Sequence, residues 1–362
     1  MADDTNNPGA APTAQASPKI AFHPSDGFPA WLAERGGALA FTTGESGKLF
    51  LVGCQPEGKL AISERSFARC TALAATERTL WMASDFQLWR LENALGPKVE
   101  HCGHDRLFVP RVGYTTGGIG VRDIGIGDDG RPVLVNGLFS CLASASDTHS
   151  FSSIWRPAFV SALAPEDRCH MSGLAMAAGA PGYVAAAAES DKAGGWQGKQ
   201  AEGGIIIDVT SNQIVARGLS LPHAPRLFGG ALWVLNSGTG EIGRCDLKSG
   251  RFEAVAFCPG YLRGLTLVDR FAVVGLGLPR SAQGYGGLPL DDRLARHKAA
   301  PSCGLMVVDL KAGRIVQSLM IRGLVREVHG VAFLSGAKRP MALGFKTDEI
   351  RQVLTVQAED QR

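Results

Sequence analysis

The chain has 362 residues, 46 of them glycine, with 45% hydrophobic and 20% charged residues and a formal net charge of +3. Glycine at about 13% is nearly twice its usual share, but it follows no every-third-residue pattern, which excludes a collagen-like chain, and the apolar content excludes a disordered one. The 37 basic and 34 acidic residues form no long run of either sign, so a nucleic-acid stripe and an anionic-membrane stripe are excluded as well.

Residues 1–18 read as a disordered tail, rich in Pro, Ala, Asn and Thr and without the apolar stretch of a secretory signal. Residues 19–356 are expected to form a single domain, and 357–362 a second short tail. The longest uncharged stretch, 172–188, is rich in Ala and Gly, contains Pro181 and is too weakly hydrophobic to cross a bilayer. A cytoplasmic protein is expected. The eight cysteines are scattered singly with no C-x-x-C pair, which predicts reduced, mostly buried thiols.

From residue 29 onward a phrase repeats. Residues 29–63 read as an apolar strand, a Gly-Gly turn, a strand beginning Ala-Leu, a glycine turn, a third strand, a polar turn and a fourth strand; residues 225–255 repeat that order. The third turn recurs as DVTSNQ (208–213), DLKSGR (246–251) and DLKAGR (309–314), where the Asp carboxylate can cap the turn and Asn or Gly accepts positive φ. First strands of successive units are expected at PAWLA (29–33), CTALAA (70–75), VRDIGI (121–126), MSGLAM (171–176), APRLF (224–228), LRGLTL (262–267) and HGVAFL (329–334). Late strands are expected near 341–345 and 350–356, with 19–23 closing the ring. These seven starts predict an all-β fold, a β-propeller of seven four-stranded blades, with six as the alternative and a pair of β-sandwiches as runner-up. Longer insertions at 97–116, 147–169, 191–203 and 280–303 are expected to build a binding face.

Inner strands of a propeller converge on a central channel, so residues at equivalent strand starts should meet. Aligning the units places His170, His223, Tyr261 and Glu327 at one position, His329 and Arg263 two residues further on, and Arg122 with Asp123 at the corresponding place in the third unit. Three imidazoles from separate blades suggest metal ligands (His170, His223, His329), with Glu327, Asp123 and Tyr261 as catalytic groups and Arg263 and Arg122 holding an anionic substrate group. In the insertions, Trp155 and Trp196 are candidates for a ligand wall and Arg156 for carboxylate or phosphate binding. His104 and His149 are candidate further ligands. The glycine-rich segments 118–127 and 238–243 open no helix after a strand, so no nucleotide cofactor is indicated.

The segments HSFSSIWRPAF (149–159), PEDRCHMSGLAM (165–176), LPHAPRLFGGALWVLNSGTGE (221–241), FCPGYLRGL (257–265) and MALGFKTDEI (341–350) resemble a bacterial family of conserved hypothetical proteins of unknown function, over nearly the whole domain. That resemblance implies a propeller and no catalytic assignment. The phrase CHMSGLAM is also similar to the channel-facing segment of gluconolactonase and regucalcin-like propellers, in which an asparagine helps bind a divalent metal; here the position holds Ser172, and lactonase activity is not carried over.

Two functions follow as expectations. The first is a propeller enzyme (hydrolase, lyase or oxygenase) acting on a small polar or anionic molecule at the channel, with a divalent metal such as Zn, Fe, Mn or Ca. The second is a non-catalytic platform that binds a peptide, glycan or protein partner through its insertions. Nucleic acid and membrane partners are not expected.

Overall fold

The computed structural model describes residues 19–356; the tails expected at 1–18 and 357–362 lie outside the described residues. Short apolar runs punctuated by turn residues fold into six sheets. After an edge strand β1 (Ala21–Pro24) and a helix α1 (Phe28–Glu34) come β2 (Gly37–Thr42), β3 (Lys48–Cys54) and β4 (Leu60–Ser66) of the first blade. The second blade holds β5 (Leu73–Ala75), β6 (Thr79–Ala83), β7 (Gln87–Asn93) and β8 (Arg106–Thr115), and the third β9 (Val121–Ile126), β10 (Pro132–Asn136), β11 (Cys141–Ser144) and β12 (Ser152–Trp155). The fourth is β13 (Met171–Ala177), β14 (Ala180–Ala186), β15 (Gly204–Asp208) and β16 (Ile214–Leu219), and the fifth β17 (Pro222–Phe228), β18 (Ala231–Asn236), β19 (Glu241–Cys245) and β20 (Phe252–Phe257). The sixth is β21 (Tyr261–Val268), β22 (Phe271–Gly277), an insertion carrying α2 (Pro289–His297), then β23 (Gly304–Asp309) and β24 (Arg314–Arg322). Finally β25 (Val331–Ser335) pairs antiparallel with β2, β26 (Pro340–Ala342) runs parallel to β8, and α3 (Glu349–Gln352) ends the described chain.

The inner strands β25, β5, β9, β13, β17 and β21 contact one another in that cyclic order, so the sheets close into a six-bladed β-propeller. Seven blades are not formed, for a local reason and a distant one. The segment expected as the first strand of the first unit is helix α1: Pro29 suits the first helical turn, and Phe28, Trp31 and Leu32, spaced i, i+3, i+4, bury one face. That face packs in the cluster between the first and sixth blades, with Phe41, Phe50, Phe271 and Leu305. The missing inner strand of the first blade is β25, the unit expected as a seventh start. Residues 19–23 do not close the ring; β1 adds a fifth strand to the outer edge of the sixth blade, pairing with β24. The strand expected near 341–345 is the short β26 on the second blade, part of 350–356 is the helix α3, and part of the 97–116 insertion is β8.

The three recurring Asp turns are hairpins between third and fourth strands. Asp208, Asp246 and Asp309 each accept a backbone N–H two or three residues on, from Ser211 (2.8 Å), Lys248 (2.9 Å) and Lys311 (3.0 Å). Between blades the cores are apolar, for instance Leu235, Leu262, Leu276 and Val308 between the fifth and sixth. Each such side chain contributes roughly 1.5–3 kcal/mol on burial. Adjacent inner strands lie very close. A Cβ at Gly173 would fall 2.6 Å from Ala224 N, one at Gly264 2.3 Å from His329 O, and one at Gly330 2.7 Å from Leu73 N. Hydroxyls also stitch inner strands together: Ser172 Oγ donates to Pro222 O at the fourth–fifth seam, and Thr71 Oγ1 to Val121 O at 3.0 Å between the second and third blades. All eight cysteines are free, and most are buried. Among the described residues no helix is long and apolar enough to cross a membrane.

Candidate functional site

The starts of the inner strands, the links that precede them and the loops between second and third strands all reach one end of the channel. β-Bulges at 171–173, 223–226 and 262–265 sit at the starts of β13, β17 and β21. Bulges turn side chains away from the regular pleat, and here they lie where His170, His223, Tyr261 and Arg263 enter the mouth. His170 itself has φ +51°, an uncommon conformation for a residue with a side chain.

Around the mouth, Glu327 is the central carboxylate. Its Oε1 lies 3.3 Å from His329 Nε2 and 3.4 Å from the Glu45 backbone N–H, while its Oε2 lies 3.5 Å from Arg280 Nη2 and 3.9 Å from Arg263 Nη2. Arg263 Nη1 is 3.2 Å from His329 Nε2, and its guanidinium lies 5.1 Å from the Tyr261 ring centroid. The pair Glu327–His329 backs onto Gly44 (φ +46°), where a Cβ would lie 2.3 Å from Glu327 Oε1 and 2.7 Å from His329 Cδ2. Only glycine fits there. A cavity of about 300 Å³ opens beside them, lined by Tyr261, Arg263, Arg280, Tyr285 and Glu327 among others.

On the other side of the mouth His170 Nδ1 contacts Asp167 Oδ2 at 2.8 Å and its ring stacks on Trp196 at 4.1 Å, while Trp196 Nε1 donates to the same Asp167 oxygen at 3.2 Å. His223 Nδ1 lies 2.9 Å from Leu221 O and 3.2 Å from Ser237 Oγ, and its ring meets Tyr261 edge-on at 5.6 Å.

Arg122 differs from the other cations. Its Nε is buried without a partner, and among the described residues its guanidinium makes no hydrogen bond or ion pair. Burial, and then the charge of Arg263, lower its pKa, although an arginine stays protonated. The same field acts on the histidines. Burial, followed by Arg263, holds His223 well below its ordinary value and His329 down to about 4; burial also lowers His170, partly offset by Asp167. Burial pushes Glu327 up, but the His329 hydrogen bond and the charges of His329, Arg263 and Arg280 outweigh it and leave the carboxyl well below the usual range. At neutral pH the mouth holds three guanidiniums and three uncharged imidazoles, set against two carboxyl groups, Glu327 and Asp167.

Among the described residues no group of three or more His, Cys, Asp or Glu side chains is arranged to hold an ion; His170 and His223 turn Nδ1 to Asp167 and to Leu221 O, and Arg263 abuts Nε2 of His329. Asp123, expected as a catalytic carboxylate, is engaged inside the channel. It accepts from Arg226 Nη1 and Nη2 at 2.7 and 3.0 Å and from the Leu174 and Ile124 N–H groups, each at 3.0 Å. Trp155 and Arg156 are not brought to the mouth: Trp155 ends β12, the outermost strand of the third blade, and Arg156 follows it. His104 Nδ1 contacts Arg339 O beside the second blade, and His149 is exposed in the link between β11 and β12. Sequence reasoning missed Arg280 and Tyr285 as site residues, although the 280–303 insertion was singled out, and it missed Asp167, whose signal is its place three residues before His170.

Fold and site together define a six-bladed β-propeller with a charged mouth at one end of its channel. The chain belongs to the family described as a domain of unknown function (DUF4915), which matches residues 26–343. No curated protein matches the sequence. Among solved structures, a chain of the nidogen/laminin complex is similar with a TM-score of 0.51 at 11% identity, covering 83% of this chain and 98% of that one. A protein of unknown function from Bacteroides caccae gives 0.46 at 11% identity (82% and 98%), and virginiamycin B lyase from Staphylococcus aureus 0.38 at 12% (71% and 96%). The likeness to the nidogen/laminin chain is one of fold.

Proposed function

We propose that the protein binds a small organic anion, a carboxylate or a phosphate monoester, in the mouth of the propeller. The observation that carries this reading is the unpartnered guanidinium of Arg122. Its Nε is enclosed, and Asp167 attracts the group without forming an ion pair with it, so an anionic ligand would supply the charge-assisted pair that the protein itself does not. Arg263 and Arg280 add two guanidiniums facing the adjoining cavity.

Thermal denaturation with millimolar succinate, malate, citrate, phosphate and glycerol 3-phosphate tests the reading. A ligand at one hundred times its Kd should stabilise the fold by about 2.7 kcal/mol, a shift of several degrees, and Arg122→Met should abolish that shift. No rise with any of these anions, or a full rise retained in Arg122→Met, would overturn the proposal.

A further inference from the structure

The geometry points to a narrower ligand class: we propose that Glu327 selects anions that carry a hydroxyl or ammonium donor close to the acidic group, such as hydroxy acids, amino acids or hydroxylated phosphate monoesters. This inference rests on the anion reading of the same mouth and goes beyond it by assigning Glu327 a role in specificity.

Its basis is the carboxylate's unused capacity. Glu327 lines the cavity together with Arg263 and Arg280, yet its contacts there are all long: 3.3 Å to His329, 3.4 Å to the Glu45 N–H, 3.5 Å to Arg280 and 3.9 Å to Arg263. Charge-assisted hydrogen bonds normally close to about 2.7–2.9 Å, and an ionised carboxylate offers about four acceptor sites. The group is held ionised at a fixed place without being saturated. It backs directly onto Gly44, where an added Cβ would lie 2.3 Å from Oε1, and its side chain is only 12% exposed.

Two features then act on a ligand at once. The arginines attract its acidic group, while a second acidic oxygen brought against Glu327 would be repelled and would displace nothing. A donor at that point instead completes the carboxylate and leaves both charges paired. The site thus has an acid-reading side and a donor-reading point a few ångströms apart, and rejects a plain acid by leaving Glu327 unsatisfied.

Matched probes isolate the effect. Succinate, malate and aspartate share a carbon chain and two carboxylates and differ only in hydrogen, hydroxyl or ammonium at one carbon; propyl phosphate and glycerol 3-phosphate form the corresponding phosphate pair. Calorimetric titration of the wild-type protein should show at least a tenfold tighter Kd for the donor-bearing member of whichever set binds. In Glu327→Gln the ratio of aspartate to succinate affinity should fall at least fivefold while succinate binds several-fold tighter, because a negative charge has left the mouth. Equal affinities within the bound set overturn the role of Glu327 while leaving the anion reading intact, and that comparison needs no variant. A ratio unchanged in Glu327→Gln overturns it also. If no member of either set binds, both readings fall together.

Discussion

Arg122 and the mouth histidines show how burial and neighbouring charge set the state of single residues. Arg122 forms no ion pair in the ligand-free protein, so Arg122→Met should change its stability by less than about 1 kcal/mol while removing the response to anions; urea denaturation of wild type and variant measures it. The histidines give the fold a pH dependence whose sign is determined. His329 has a folded pKa of about 4 against about 6.5 unfolded, so the unfolded chain binds the extra proton between these values and stability falls as the pH drops through that window. At pH 5 this one residue should cost about 2 kcal/mol relative to pH 7, and the lowered His170 and His223 act in the same direction. Thermal denaturation from pH 7.5 to 5 should therefore show a declining Tm, and His329→Gln should flatten the decline. Much of this cluster was legible in the sequence, because equivalent positions of a repeat converge at a channel. Asp123 points away from its neighbour Arg122, as alternation along a strand requires, and pairs with Arg226.

At the scale of elements, the hairpins follow from local chemistry. Gly313 closes the turn between β23 and β24 at φ +65°, with its N–H on Asp309 O at 2.8 Å. Gly313→Ala should cost about 1 kcal/mol, because a Cβ is disfavoured in the left-handed region; chemical denaturation compared with the wild type reads it. The same rule made the Asp turns visible before the fold was known. Helix α1 was less visible. Its segment is apolar and short, and a run of that length suits a buried strand as well as one helical face. The cluster between the first and sixth blades decides the matter by burying Phe28, Trp31 and Leu32 together. The glycines also divide by element: many sit at turns with positive φ, whereas Gly173, Gly264 and Gly330 lie where neighbouring inner strands nearly touch.

For the whole molecule, closure of the ring governs stability. β25 completes the first blade across nearly the full length of the chain, pairing Val331 with Phe41 and Ser335 with Gly37. A chain ending at residue 330 would leave β2 without its inner neighbour and open the seam against the second and sixth blades. Such a truncation should abolish cooperative unfolding and bind a hydrophobic dye, whereas the full chain should melt cooperatively without binding it; calorimetry and dye fluorescence distinguish the two. The sequence by itself determined the four-strand phrase, the positions of six inner strands and the residues that could face a channel, because turn chemistry, strand patterning and repetition are carried by near neighbours along the chain. Only the tertiary structure decided that there are six blades, that Arg280 joins the mouth while Trp155 and Arg156 do not, and that the histidines stand as uncharged neighbours of arginine. Those outcomes depend on which distant segments pack together and how deeply they bury each charge, and no local pattern encodes either.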